Sequence, residues 1–132
     1  MMKILFICDG NVARSQEAEI FLNVLSHGKH VARSAGVNPK LNKPIDPVVT
    51  QVMQELGYSM DTNIRKLIDK NIVADSDIVI SFKPANELPD FVQHHQNIQY
   101  WEVPDPARQS VQFHRYVRDL VKSRVESLLA EI

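Results

Sequence analysis

One cysteine, Cys8, is all the sulfhydryl chemistry in this 132-residue chain. An intramolecular disulfide is therefore impossible, and nothing in the cysteine usage points to an oxidising compartment. Long hydrophobic runs are missing as well. The longest apolar stretch near the N-terminus, Ile4 to Cys8, is too short for a membrane span or a signal-peptide core and lacks a cleavage site. A cytoplasmic protein without a membrane partner is expected. Nor is one sign of charge in surplus: the formal net charge is -1 and the lysines and arginines are scattered, which leaves no electrostatic footprint for nucleic acid. Glycine is scarce, at 4 residues, and no linker, repeat or low-complexity tract interrupts the chain. With 44% apolar and 23% charged residues, the composition is that of an ordinary globule with one core, and a single domain over residues 1–132 is expected.

The order of patterns is strand, loop, helix, repeated. Lys3 to Cys8, KILFIC, is a short continuous apolar run that ends at a glycine-containing turn, the signature of a strand buried on both faces at the centre of a sheet. From Ser15 to about His27, residues Ala18, Phe21, Leu22 and Leu25 follow helical spacing, and Gly28 stands at the expected C-terminal cap. HVARSAG, residues 30–36, reads as the second strand. Asp46-Pro47 reads as the cap of a helix carrying Val49, Val52, Met53 and Leu56 on one face and stopping at Gly57. A shorter helix is expected over 65–71. Strands follow at 76–82 and 97–103. From about Arg108 a terminal helix presents Phe113, Val117, Val121, Val125, Leu128 and Ile132 as its buried stripe. Alternation of this kind predicts an α/β fold, a doubly wound four-stranded parallel sheet with helices on both faces. Ligands bind such sheets beyond the carboxyl ends of the strands, which is where residues 8–15 fall.

The stretch CDGNVARS, residues 8–15, is chemically suited to that place. A loop curled between a strand end and a helix start can aim consecutive backbone N–H groups at an anion, with the helix dipole adding positive potential. Asp9, Gly10, Asn11, Val12 and Ala13 would form the cradle, Gly10 easing the turn. The same donors favour the thiolate of Cys8, the nucleophilic form of a cysteine. Arg14 at the far lip can bind two oxygens of a phosphoryl group as a fork, and the Ser15 hydroxyl can donate to the sulfur. Asp105, between Pro104 and Pro106 and just past the fourth strand, projects from the same sheet edge and is the candidate general acid. A lone cysteine at a strand end is otherwise an ordinary small hydrophobe, and an Asp-Pro pair an ordinary turn. Adjacent His94 and His95 share no face and have no ligand-spaced partner, so no metal is expected.

ICDGNVARS together with Asp105-Pro106 resembles the low molecular weight protein tyrosine phosphatases, and SAG at 34–36 and the element order fit them over essentially the whole chain. The resemblance implies their flavodoxin-like fold and a phosphocysteine intermediate on Cys8. It further implies phosphate binding by Arg14 and the 8–15 loop, support of the thiolate by Ser15, and bracing of the loop by Asn11 against Ser34. Asp105 would first protonate the leaving group and then activate water, with no cofactor and no metal. The implied partner is a phosphorylated protein or a small phosphomonoester, with phosphate or another oxyanion in the loop.

The chain departs from that pattern at three places. Ala13 stands where many members have a second cysteine. Ala107 and Arg108 replace the tyrosines that line the phosphotyrosine pocket, leaving Phe82 or Trp101 as the available aromatic wall. Val12 replaces the threonine of the phosphoarginine phosphatases. VPDPA also resembles the loop of the related arsenate reductases, which pass a disulfide along cysteines this chain lacks, so that reading requires external thiols. A phosphate- or phosphopeptide-binding module without turnover is the third alternative. The cysteine-phosphorylated sugar-transport components also place a cysteine loop after a first strand, but without an arginine closing it.

Overall fold

The computed structural model describes residues 1–132. Strand β1 (Lys3–Cys8) is followed by α1 (Arg14–Leu25), β2 (Val31–Gly36), α2 (Pro47–Gln54), α3 (Lys70–Ala74) and β3 (Ile78–Ser81). The chain continues through α4 (Asp90–Gln93) and β4 (Ile98–Tyr100) to the long helix α5 (Val111–Glu131). The four strands form one parallel sheet in the order β2-β1-β3-β4. β1 lies inside it, in register with β2 from Lys3↔Val31 to Cys8↔Gly36 and with β3 from Ile4↔Ile78 to Ile7↔Ser81. This is the doubly wound arrangement the sequence predicts.

Alternation along β1 divides the core in two. Ile4, Phe6 and Cys8 face the layer of α1, α2 and α5, where Phe21, Leu22, Met53, Val117, Val121 and Val125 are buried. Leu5 and Ile7 face the opposite layer, against Val73 and Val92 of α3 and α4. Successive side chains of a strand point to opposite faces, so an apolar residue at every position requires cover on both. No helix is long and apolar enough to cross a membrane.

Four expectations are corrected. The helix expected over 65–71 begins only at Lys70, capped by the Asp69 side chain, which accepts from the Ile72 N–H. The preceding residues run extended along the end of β2, with the Gly36 N–H donating to the Lys66 carbonyl and the Ile68 N–H to the Gly36 carbonyl. Open backbone at that sheet edge attracts the segment more strongly than its helical pattern holds it. Asp46 precedes α2, but its side chain makes no capping bond and accepts instead from Arg65 at 3.1 Å. α2 ends at Gln54, which leaves Leu56 exposed. On α5 the stripe Val117, Val121, Val125 and Leu128 is buried as expected, whereas Phe113 is only half-buried and Ile132 is exposed. The same face also buries His114 and Arg118.

Candidate active site

Where β1 ends, the backbone enters a loop held on three sides. Asn11 provides the turn: its φ of 53° is left-handed, a region asparagine tolerates better than most residues. Gly10, expected to provide it, has no such φ, and a Cβ there would make only an ordinary contact with Val12. The glycine that the loop requires is Gly36, at the end of β2. A Cβ on Gly36 would stand 2.7 Å from the Asp9 carbonyl and 3.0 Å from the Asn11 nitrogen, so the loop backbone lies directly on the SAG segment.

The buried Asn11 side chain braces the rest. Its Nδ2 donates to Ser15 Oγ at 2.8 Å and to Ser34 Oγ at 3.0 Å. Its Oδ1 accepts from the Lys66 N–H at 2.8 Å and from Gln16 Nε2 at 3.0 Å. Gln16, absent from the sequence-based candidates, also donates to the Ile64 carbonyl at 2.7 Å and thereby ties α1 to the segment beside β2. Because Ser15 Oγ accepts from Asn11, its own hydrogen is free to point at Cys8 Sγ, 2.8 Å away. From Asp9 to Gln16 no backbone N–H donates to a backbone carbonyl. The N-terminus of α1 therefore presents a run of unengaged donors around the sulfur.

Arg14 reaches across this loop. Its Nη1 donates to the Val103 carbonyl at 2.9 Å and lies 3.4 Å from that of Phe82, and its Nη2 stands 3.8 Å from Asp105 Oδ2. The guanidinium carbon sits 5.8 Å from the centroid of the Phe82 ring. Phe82 and Trp101 are buried against each other and against Phe6. They support Arg14 from the core instead of walling the pocket, which corrects the expectation for them. Cys8, Asp9, Gly10, Val12, Ala13, Arg14 and Asp105 line one cavity of about 150 Å³, together with Asp46, Val49, Ala107 and His114. Of those last four, the family resemblance places Ala107 at the pocket, and the other three are not singled out from sequence for the site. Asp46 and Val49 read as helix cap and helix core, and His114 shows only as a member of the α5 stripe once the fold is known. Asp9, at the rim, is held by Lys83 at 2.8 Å.

Behind the loop, α1 buries a carboxyl. Glu17 is fully inaccessible and neither of its oxygens has a partner. Burial pushes its pKa up to about 8, against the opposing pull of the Arg118 and Arg14 guanidiniums. Below an unfolded value of about 4.5 both states hold the proton. Between there and about 8 only the folded chain holds it, so stability falls as pH rises through that window and levels off above it. Glu17→Gln is expected to match wild type in urea denaturation near pH 4.5 and to exceed it by about 3–5 kcal/mol at pH 8. A stability difference that does not change with pH would show that Glu17 is ionised in the fold throughout.

Comparisons with known proteins bear on the family and the fold. The family model for low molecular weight phosphotyrosine protein phosphatases matches residues 3–132. A glutaredoxin arsenate reductase from a Synechocystis species is 34% identical over all of this chain and 99% of that protein. An arsenate reductase of Staphylococcus haemolyticus is 30% identical over 94% of this chain and 93% of its own length. Among solved structures, an arsenate reductase in a phosphate-binding state superposes with a TM-score of 0.86 at 34% identity, covering 100% of this chain and 99% of that one. A low molecular weight protein tyrosine phosphatase from T. tengcongensis gives 0.87 at 20% identity over the whole of both chains, a likeness of fold.

Proposed function

Since the chain belongs to the low molecular weight phosphotyrosine protein phosphatase family, we propose that it is a cysteine-dependent phosphatase hydrolysing phosphomonoesters through a phosphocysteine intermediate. The observation that carries this reading is one cavity holding Cys8 Sγ at 2.8 Å from the Ser15 hydroxyl with Arg14 and Asp105 on its rim. The sulfur of Cys8 attacks phosphorus as the bond to the leaving oxygen breaks, and that oxygen takes the proton of Asp105. The loop amides and Arg14 hold the three remaining oxygens, whose charge shifts most in the transition state. In the second step the Asp105 carboxylate takes a proton from water as the water attacks phosphorus, and the sulfur departs towards the Ser15 hydroxyl. Both steps are complete with this chain's own residues, which form one unit over residues 1–132.

A second reading is favoured by the size of the cavity and by the relatives. About 150 Å³ without an aromatic wall suits a bare tetrahedral oxyanion, below the roughly 300–1,000 Å³ common for small-molecule sites. Relatives at 30–34% identity carry the name arsenate reductase. For arsenate, Cys8 would displace water to form a thioarsenate adduct. One external thiol would then reduce As(V) to arsenite and leave a mixed disulfide on Cys8, and a second thiol would release the enzyme with a disulfide of the two thiols as the oxidised product. With one cysteine in the chain both thiols must be external.

Rates on p-nitrophenyl phosphate and a phosphotyrosine peptide, without thiol, measured beside arsenite production with glutathione and glutaredoxin, separate the two. Thiol-free phosphate release is the expected result. Arsenite production with phosphomonoester turnover at background would replace the first reading by the second, and phosphate binding without either reaction would leave a binding module.

A further inference from the structure

Three aspartates, Asp9, Asp46 and Asp105, line the cavity that holds Cys8, against the single guanidinium of Arg14. Uncompensated carboxylates at such a place repel an incoming oxyanion. Asp105 has its part in the proposed reaction, and Asp46 is met by Arg65 at 3.1 Å. Asp9 has no part in it, although it follows the nucleophile directly in the chain. Its side chain is held by Lys83, whose Nζ donates to Asp9 Oδ1 at 2.8 Å.

The sheet brings these two residues together. Ile7 of β1 is in register with Ser81 of β3, and the Phe82 N–H donates to the Ile7 carbonyl at 2.8 Å. Two residues beyond that pair stand Asp9 and Lys83, each the first charged residue past its strand. Ser81 fixes the turn after β3: its buried hydroxyl donates to the Lys83 carbonyl at 2.8 Å and accepts from the Lys83 N–H at 3.0 Å. Glu87 is a second anchor for the ammonium, at 3.2 Å. The lysine side chain is only 14% exposed, so solvent and salt screen its charge less than that of a surface lysine. Burial works against the charged form, but the contacts with Asp9 and Glu87 outweigh it and raise the lysine above its ordinary value.

We propose that Lys83 is a positioning residue of the oxyanion site: its ammonium fastens the Asp9 carboxylate to the turn after β3 and offsets its charge, so that an anion can settle in the loop beside Cys8. This role rests on the reading of the loop as an oxyanion cradle. It applies equally to a phosphomonoester and to arsenate, and it accounts for an aspartate next to the nucleophile.

Two readouts test it. Cys8 is the only thiol, so alkylation of the chain reports on the surroundings of its sulfur. The ratio of rates with iodoacetate and iodoacetamide at one pH cancels the thiolate fraction and isolates the preference for an anionic reagent. Lys83→Met is expected to lower that ratio about 5- to 30-fold, the scale for one nearby unit charge between the dielectric of a protein surface and that of water. Lys83→Arg, which keeps a cation, should retain most of it. In an Asp9→Asn background the same Lys83→Met change should cost less than about 3-fold, because a lysine that acts through Asp9 has no carboxylate left to offset. Equal losses in both backgrounds, or no loss in either, would overturn the proposal. In steady-state kinetics on p-nitrophenyl phosphate, Lys83→Met should raise KM by a similar factor and leave kcat within about 3-fold, the mark of a charge felt alike by bound substrate and transition state. A fall in kcat at unchanged KM would place Lys83 in the chemical step and overturn the assignment. A wild type without phosphatase turnover that still gave the expected alkylation ratios would support the role of Lys83 and count against the phosphatase reading alone.

Discussion

Cys8→Ser is expected to reduce p-nitrophenyl phosphate turnover by at least about 1,000-fold, the scale at which loss of a covalent nucleophile disables enzymes that depend on one. The exchange replaces sulfur by oxygen and disturbs little else. Asn11, Ser34 and Gln16 still hold the loop, and Ser15 can donate to the new hydroxyl as it does to sulfur. What disappears is an atom that is nucleophilic near neutral pH, since a serine hydroxyl without an adjacent general base remains un-ionised. None of the side chains within hydrogen-bond reach of Cys8 is a base, because the one at 2.8 Å is a serine. Inorganic phosphate should therefore bind the variant within about 3-fold of wild type by calorimetry, because the donors of the cradle are backbone groups and Arg14. A variant retaining a tenth of the wild-type rate would mean that phosphoryl transfer goes directly to water. The same substitution should abolish thiol-dependent arsenite production, so it tests what the phosphatase and arsenate readings share.

How much of this was legible beforehand depends on how local each interaction is. The run KILFIC and the loop after it could be read because they follow from adjacent residues, whereas the Asn11 to Ser34 bond was implied by the family resemblance alone and forms because β1 and β2 lie side by side. Asp105 could be read because strand ends share one edge of a parallel sheet. Asp46 could not. Its cap pattern is local, but the Arg65 guanidinium that draws it away comes from a segment placed only by the edge of β2. The aromatic residues Phe82 and Trp101 pack inward against Phe6, on a face decided by the register of β1, β3 and the chain after β4. His114 and Arg118 were obscured for another reason. Charged and polar residues at stripe positions of a helix read as interruptions, and for Arg118 it is the Val52 carbonyl and the Glu55 and Asp119 carboxylates, two of them distant in sequence, that make burial tolerable.

Asp105→Asn separates the two steps of the reaction, and its effect should depend on what leaves. Phenol is a strong enough base that its departure needs a proton, so on phenyl phosphate or a phosphotyrosine peptide the variant should lose about 100- to 10,000-fold, the usual reach of general acid catalysis. p-Nitrophenol leaves as a stable anion, and formation of phosphocysteine from its ester should be slowed much less. Hydrolysis of that intermediate needs a base whichever ester formed it. With p-nitrophenyl phosphate the variant is therefore expected to give a rapid burst of p-nitrophenol followed by slow turnover, and mass spectrometry of the quenched enzyme should find a phosphoryl group on the Cys8 peptide. The contact between Arg14 and Asp105 supplies the competing explanation. At 3.8 Å, with Asp105 largely exposed, the pair is a weak ion pair. Removing its charge could act only by freeing Arg14 to move. In that case both esters would lose the same factor, phosphate would bind differently, and no burst would be seen. Leaving-group dependence with unchanged phosphate affinity is the outcome that a proton donor and acceptor at this position requires.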